Sequence, residues 1–121
     1  MDLADIKNFE DLNIWQNAQD LAVSVYKVTQ TFPSSEIYGI TNQIRRSSAS
    51  ISANIAEGFG RKTNKDKLHF YVVAYGSLLE TKNFVYLAKK LNFINEESVT
   101  DLLDTILVLQ KQMNVFMRPL K

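Results

Sequence analysis

Apolar residues recur along this chain at alternating three- and four-residue steps, which is the spacing of one face of an α-helix. These steps predict four helical segments, over residues 11–31, 35–58, 64–91 and 96–117. Connections of roughly four to six residues place consecutive helices antiparallel. The pattern therefore predicts an all-α fold, an antiparallel up-down-up-down four-helix bundle over residues 11–118, preceded by a flexible segment at residues 1–10.

The first and last segments each carry a single apolar stripe, as expected of a helix packed on one side. In segment one the stripe consists of Ile14, Ala18, Leu21, Val25, Val28 and Phe32. In segment four it consists of Val99, Leu102, Ile106, Leu109, Met113 and Phe116. These two helices are predicted to bury one face against the rest of the bundle.

Residues with known preferences for helix ends mark the segment boundaries. Ser34 or Ser35, Thr63 or its rival Asn64, and Asn95 are predicted to cap the starts of segments two, three and four, because their side chains can accept from free backbone N–H groups. Glycine and asparagine are common at helix ends. Gly58, Gly60 and Asn92 are therefore predicted to end segments two and three.

Segment two has two faces that both look buried. One face is predicted to join the core and carries Ile37, Ile40, Ile44, Ser48, Ile51 and Ile55. The opposite face carries Arg45, Arg46, Ala49, Ala53, Ala56 and Glu57. Its alanines are spaced to lie on one side of the helix, and small side chains let another helix approach closely. The segment is therefore predicted to pack against two partners.

Segment three also has two apolar faces. One carries Leu68, Tyr71, Val72, Tyr75, Leu79 and Tyr86, and the other Phe70, Val73, Ser77, Phe84, Ala88 and Leu91. Gly76 lies mid-helix, where glycine is unfavourable, so a close helix contact is expected there. Either these are the most buried helices of a monomer, or the chain forms a homo-oligomer. We favour the oligomer, with an interface at Ala49, Ala53, Ala56, Phe70, Val73, Ser77 and Phe84.

Composition indicates the class of protein and its expected location in the cell. The chain has 121 residues with 45% hydrophobic and 22% charged residues, which is typical of a soluble globular domain. It has no cysteine, so it can form neither a disulfide nor a thiolate metal site. The sequence has no apolar run long enough to span a bilayer, so we expect no membrane partner. Its acidic N-terminus lacks an apolar signal core, and together with the absence of cysteine this leads us to expect a cytoplasmic location.

Charge is unevenly distributed although the net charge is only +1. Residues 1–42 hold two lysines and six acids, a balance of −4, whereas residues 43–67 hold six basic and two acidic residues, a balance of +4. Such a block can bind a polyanion, remain a solvated surface, or face an acidic partner subunit. The candidate residues for binding nucleic acid or a partner are Arg45, Arg46, Arg61, Lys62, Lys65 and Lys67.

Catalytic signatures are absent from the sequence. His69 is the only histidine and cannot form an ordinary transition-metal site alone. Glu57 and Glu80 could form an acid–base pair, but no nucleophile accompanies them. The glycines of Gly58-Phe59-Gly60 do not match a phosphate-binding nucleotide motif. We therefore expect no enzyme activity, no catalytic residues, no metal and no cofactor.

The chain resembles the bacterial four-helix bundle proteins encoded in intervening sequences of 23S ribosomal RNA genes. This family includes relatives of the accessory variability determinant protein of diversity-generating retroelements. The matching motifs are Phe9-x-x-Leu12-x-x-Trp15, Phe32-Pro33-x-x-Glu36-x-Tyr38-Gly39, Gln43-x-Arg45-Arg46, Ser50-Ile51-x-Ala53-Asn54-Ile55-Ala56-Glu57-Gly58, Arg61, Phe70 and Ala74-x-Gly76-Ser77-Leu78-x-Glu80. Ser52 departs from the family, which often has a kinking proline there, and Thr81-Lys82-Asn83 also departs.

The resemblance implies a homopentameric ring of four-helix subunits with a central channel. It also implies, for the retroelement relatives, a basic surface that engages nucleic acid and a reverse transcriptase. Together with the basic block, this leads us to expect a non-enzymatic ring-forming protein that binds the backbone of RNA or DNA, or a nucleic-acid enzyme. The alternative is a purely structural or protein-interaction oligomer of unknown role.

Overall fold

The computed structural model describes residues 5–121, which fold into four α-helices. Short 3₁₀ turns lie at Phe9–Asp11, Ser34–Glu36 and Arg118–Leu120. Over residues 5–121 the fold contains no β-strand, so the predicted all-α class is confirmed. The helices are α1 (Asn13–Thr29), α2 (Ile40–Phe59), α3 (Asn64–Lys90) and α4 (Glu96–Met117).

Polar contacts between the helices establish their directions. Ser47 contacts Thr81 and Ser50 contacts Ser77, so residue numbers rise along α2 as they fall along α3. The same inverse order joins α1 to α2 and α3 to α4. Because α4 also packs back against α1, four antiparallel helices enclose one core. The α2–α3 turn lies at the same end of the bundle as the N-terminal and C-terminal turns.

The core forms where the predicted stripes of α1 and α4 meet. All predicted stripe residues of these two helices are buried except Val28 and Phe116, which are half-buried. Phe32 is buried beyond the end of α1 and packs against Phe93, with ring centroids 5.7 Å apart. The prediction of a single buried stripe is therefore confirmed for α1 and α4.

α3 presents a different face to the core from either predicted face. Val72, Leu79 and Tyr86 are 53%, 44% and 46% exposed, so grouping them with buried Tyr71 was wrong. Thr81 is accommodated in the core because its hydroxyl donates to the carbonyl of Ser77 at 2.9 Å. The buried residues instead follow a regular three-four spacing through Tyr71, Ala74, Leu78, Thr81, Val85 and Ala88.

α2 begins at Ile40, five residues later than predicted. Ser34 and Ser35 lie in a 3₁₀ turn and do not cap it, because Gly39 adopts a non-helical conformation (φ −107°, ψ −123°) at the helix start. Ile37 therefore lies outside the helix and is 48% exposed, which corrects its assignment to the core. The other predicted core residues of this segment are buried, namely Ile40, Ile44, Ser48, Ile51 and Ile55.

The helix is continuous through Ser52, as expected for serine in place of a kinking proline. The Ser52 hydroxyl accepts a hydrogen bond from the Gln19 side-chain amide at 2.9 Å. A buried hydroxyl needs such a partner. Ser52 therefore helps to hold α1 against α2.

The other helix ends lie within two residues of the predicted bounds, α1 being two residues shorter at each end. The Thr63 and Asn95 side chains accept from the backbone N–H groups of Asp66 and Ser98, which confirms both caps. Asn92 has φ 60°, the left-handed conformation predicted for a helix terminator. α2 ends at Phe59, and Gly60 caps it.

Gly58 lies inside α2 and is buried, so its assignment as a stop residue was wrong. A Cβ there would lie 2.7 Å from Cε1 of Tyr71, so glycine is needed for the close approach of α2 to α3. At Gly76, in contrast, a Cβ would meet nothing within 4 Å. The close contact expected at Gly76 is therefore absent within this chain.

The N-terminal segment is described only from residue 5, so residues 1–4 of the segment predicted to be flexible lie outside the described part. Asp11 accepts from the backbone N–H groups of Lys7 and Asn8, and these bonds lower the pKa of its carboxyl. Phe9 packs edge-on against Trp15, with centroids 5.2 Å apart. The boundary between a flexible segment at residues 1–10 and a bundle domain that starts at residue 11 stays a prediction. Over residues 5–121, no helix combines the length and apolarity that a membrane span requires.

Candidate functional site

The basic residues singled out by the sequence lie at two separate places. Arg45 and Arg46 are in the second turn of α2, whereas Arg61 to Lys67 surround the turn between α2 and α3. At 1.5 Å per helical residue, the two groups are about 20 Å apart along the bundle. A single continuous basic patch is therefore not formed within one chain.

Arg45 is held within its own bundle. Its Nε–H donates to the hydroxyl of Thr29 at 2.8 Å, and its guanidinium lies over the ring of Tyr26, 4.9 Å from the centroid. Thr29 itself donates to the carbonyl of Val25. The sequence had left Arg45 between a subunit interface and a polyanion site, but its contacts here join α2 to α1.

Arg46 is exposed and lines a polar groove between α2 and α3. The groove has a volume of about 360 Å³, and Glu80 is the other charged residue along it. The hydroxyls of Ser50 and Ser77, which also line it, lie 2.9 Å apart. The groove thus offers a guanidinium, a carboxylate and several hydroxyl and amide groups to a polar partner.

Two basic residues at the α2–α3 turn are engaged by neighbouring groups. Arg61 lies 3.5 Å from a carboxylate oxygen of Glu57 and stacks over Phe70 at 4.5 Å from the ring centroid. Lys67 is half-buried, and its ammonium donates to the carbonyl of Phe59 at 2.6 Å. Both side chains are oriented mainly by these contacts.

Lys62 and Lys65 are exposed and, among the residues that the structure describes, have no side-chain hydrogen bond or ion pair. Lys65 lies in the first turn of α3 and Lys62 in the preceding loop. Free backbone N–H groups and the positive end of the helix dipole lie at this terminus. Of the six predicted binding residues, Arg46, Lys62 and Lys65 are therefore the ones presented to solvent with their charges uncommitted.

The predicted subunit interface is partly exposed. Ala49 and Ala53 are exposed on α2, and Val73 is 41% exposed on α3. The other predicted members, Ala56, Phe70, Ser77 and Phe84, are half-buried within the chain. Gly76, which was not among the predicted interface residues, is exposed near Val73 and has open space at its Cβ position. Its unfavourable place inside a helix is the sequence signal that makes it a candidate for the same surface.

The acids and the histidine do not form a catalytic arrangement. Glu80 lies at the level of Arg46 in the polar groove, whereas Glu57 lies about 16 Å further along α2 at 1.5 Å per residue. Two-carboxylate mechanisms need separations below about 10 Å. His69 is exposed and packs edge-on against Phe70. Over residues 5–121 no group of three potential metal ligands occurs.

Comparison with family models matches residues 10–115 to the family described as 23S rRNA-intervening sequence protein. Among solved structures, a similar fold occurs in a protein with unknown function from the S23 ribosomal protein family of Bacteroides thetaiotaomicron. Its TM-score is 0.77 at 20% sequence identity, and the match covers 86% of this chain and 97% of that chain. This likeness shows the fold. A comparison with curated proteins finds no match.

Proposed function

We propose that this chain, which belongs to the 23S rRNA-intervening sequence protein family, is a non-enzymatic, ring-forming helical protein that binds the RNA or DNA backbone through a basic surface. A nucleic-acid enzyme such as a reverse transcriptase is the alternative partner for this surface. The observation that carries the proposal is the uncommitted charge of Lys62 and Lys65 beside the N-terminus of α3.

The charge at this turn is modest in a single chain. Residues 57–67 hold four basic and two acidic residues, so their balance is +2. Each phosphate that the protein neutralises adds about 0.9 to the slope with which log affinity falls as log salt concentration rises. Two free lysines therefore give weak binding alone, and repetition of the turn around an oligomer would strengthen it through multivalency.

The proposed assembly uses the exposed small side chains of α2 and the facing part of α3. Ala49, Ala53 and Gly76 would let a helix of another copy approach closely, and Val73 adds apolar surface to bury. The resemblance implies that the oligomer is a pentamer. Light scattering after gel filtration should then give a multiple of the 13.8 kDa chain mass.

Ala53→Arg should give a monomer or an insoluble protein, because a long charged side chain cannot fit between closely packed helices. Ser24→Arg is the matched control, since Ser24 is also exposed but lies on α1. A mass of one chain for the unmodified protein would refute the assembly. The same result with both variants would show that the added arginine, not its position, matters.

The nucleic-acid proposal is tested by fluorescence anisotropy with labelled RNA and DNA duplexes, between about 50 and 200 mM salt. Lys62→Ala combined with Lys65→Ala should abolish binding and leave assembly intact. Lys89→Ala combined with Lys90→Ala removes the same charge at the opposite end of α3 and is expected to change binding little. Absence of binding at low salt, or equal losses in both double variants, would refute a site at this turn.

The polar groove favours a second candidate function, a protein-interaction oligomer. Arg46 and Glu80 line this groove next to the exposed alanines, so a neighbouring copy or another protein would meet them first. This alternative predicts that Arg46→Ala disrupts the oligomer, with no nucleic-acid affinity to lose. Loss of RNA binding with an intact oligomer in the Lys62 and Lys65 variant would contradict it.

A further inference from the structure

An apolar cavity of about 500 Å³ lies at the bundle end that holds the α2–α3 turn. Buried Tyr71 and half-buried Phe116 line it, together with Phe59, Val115 and Leu120. A second cavity, of about 520 Å³, adjoins it along Leu12, Val115 and Phe116. Ligand sites commonly have volumes of 300–1,000 Å³ with mostly apolar walls and a few polar groups.

Its aromatic wall is fixed by close packing. Tyr71 lies edge-on to Phe116, with centroids 4.9 Å apart, and its ring fills the space that a side chain at position 58 would take. A tyrosine phenol is uncharged at neutral pH, and burial raises the pKa of the Tyr71 hydroxyl further, to about 12. The wall is therefore rigid and carries no negative charge.

One positive charge lies at this cavity. Lys67 is its only charged lining residue among those described, and the Phe59 carbonyl holds the ammonium at 2.6 Å. The ammonium also lies 5.4 Å from the centroid of the Phe59 ring. An ammonium has three donors, so two remain for a ligand. Lys67 has no role in the proposed nucleic-acid binding, because its ammonium is directed at the carbonyl and ring of Phe59.

We propose that this cavity binds a small amphipathic carboxylate, with its acyl or aryl chain against Phe116 and Val115 and its carboxylate on Lys67. At about 30 Å³ for each water-sized group, and with incomplete filling, the volume suits roughly twelve heavy atoms. The apolar walls select the chain, and the lone ammonium selects an anionic head. The site goes beyond the proposed nucleic-acid function and does not depend on it.

Decanoate is the probe, and 1-decanol, which has a chain of the same length without the charge, is the control ligand. Isothermal titration calorimetry on the full chain should give saturable decanoate binding, with a dissociation constant on the order of 0.1–1 mM. Decanol should bind at least about fivefold more weakly, because it lacks the charge-assisted hydrogen bond.

Lys67→Met should weaken decanoate binding about five- to tenfold and leave decanol binding unchanged. Lys65→Met, its matched control, removes a charge from the same turn outside the cavity and should change neither. Val115→Trp fills the cavity from a position 60% exposed, so the fold should persist while both ligands lose binding. Because no assay here uses nucleic acid, failure of the proposed function would leave these results unaffected.

Several outcomes would overturn the site. One is the absence of saturable decanoate binding below its micelle concentration. Another is an equal loss in the Lys65 and Lys67 variants, which would indicate nonspecific attraction to the basic turn. Unchanged binding in Val115→Trp would place decanoate elsewhere, for instance on the surface proposed for a second copy. This third variant keeps the test decisive if Lys67→Met fails to fold.

Discussion

Replacing Gly58 by alanine tests the closest approach between α2 and α3. A Cβ at this position would lie 2.7 Å from Cε1 of Tyr71 and 3.0 Å from Cβ of Phe70. Carbon atoms in contact normally lie about 3.5–4.0 Å apart, so the Tyr71 ring would have to move by roughly 1 Å. Phe116 packs against that ring and opposes the movement.

Two opposing effects set the size of the expected change. Overpacking a core costs about 1–3 kcal/mol, while alanine is favoured over glycine in a helix by about 1 kcal/mol. Because the obstructing atom belongs to a buried ring rather than to a flexible side-chain end, we expect the upper part of the first range. The net loss of stability is about 1–2 kcal/mol, or roughly 4–8 °C in melting temperature.

Thermal unfolding followed by circular dichroism measures this loss, at two protein concentrations because assembly would contribute to stability. Gly60→Ala is the matched control, since the nearest atom to its Cβ is the Glu57 carbonyl oxygen at an ordinary 3.6 Å. In a Tyr71→Leu background the cost of Gly58→Ala should shrink, because the obstructing atom is gone. A Gly58→Ala protein as stable as the unmodified chain would refute the argument.

Three further outcomes are expected. Thr41→Val should raise stability by about 1 kcal/mol in chemical denaturation, because the Thr41 hydroxyl is the one buried side-chain polar atom among the described residues without a hydrogen-bond partner; a loss of stability would contradict this. Burial raises the Tyr71 pKa from 10.0 to about 12, so the folded state keeps a proton that the unfolded state releases in that window. The stability linked to this group is complete below pH 10 and falls by about 1.4 kcal/mol per pH unit between pH 10 and 12. Tyr71→Phe should remove this component and one ultraviolet absorbance step near pH 12, and a step that survives in the variant would refute the assignment. Gly76→Leu should stabilise the isolated chain, because leucine favours helix and nothing obstructs its Cβ, but should block assembly. Light scattering that shows an unchanged oligomer would remove Gly76 from the interface.

The core faces of α1 and α4, the first and last helices, could be predicted well because each helix has only one apolar stripe. Both helices bury that stripe. The caps at Thr63 of α3 and Asn95 of α4 could also be predicted, because each depends on a hydrogen bond to a residue three positions along the chain. The start of α2 could not be located in this way. Ile37 continues the helical spacing perfectly, and only the backbone conformation of Gly39 separates it from the helix.

The core face of α3 was predicted wrongly for a different reason, since large apolar residues lie on its exposed side as well as on its core face. Thr81 and Ala74 are buried, because small residues let α2 approach closely and the Thr81 hydroxyl finds partners in Ser47 and Ser77. Val72 and Leu79 are large and apolar but exposed. Apolar periodicity alone therefore selects the wrong face wherever close packing replaces large side chains.

For the candidate site, the sequence identified the basic residues but not the hydrogen bonds, ion pairs and stacking contacts that hold some of them within the chain. Composition and spacing predicted a positive region at Arg45 and Arg61 alike. Whether a guanidinium is free depends on groups distant in sequence, such as Thr29 and Tyr26 beside Arg45, or Phe70 beside Arg61. Such partners become apparent only once the helices are packed.

In the function proposed above, nucleic-acid binding depends on assembly. Over α3, exposed Val72, Val73 and Leu79 surround the open position at Gly76, and Glu80 is the only charged residue between His69 and Thr81. An exposed apolar surface of this kind is typical of a site where another protein packs, which supports the proposed assembly. Without assembly, Lys62 and Lys65 alone would neutralise about two phosphates, which is too few for binding at physiological salt. In the proposed assembly the same turn would recur in every subunit, and the sum of these weak contacts would strengthen binding. A variant that is monomeric but otherwise folded should therefore lose nucleic-acid affinity although every lysine is still present.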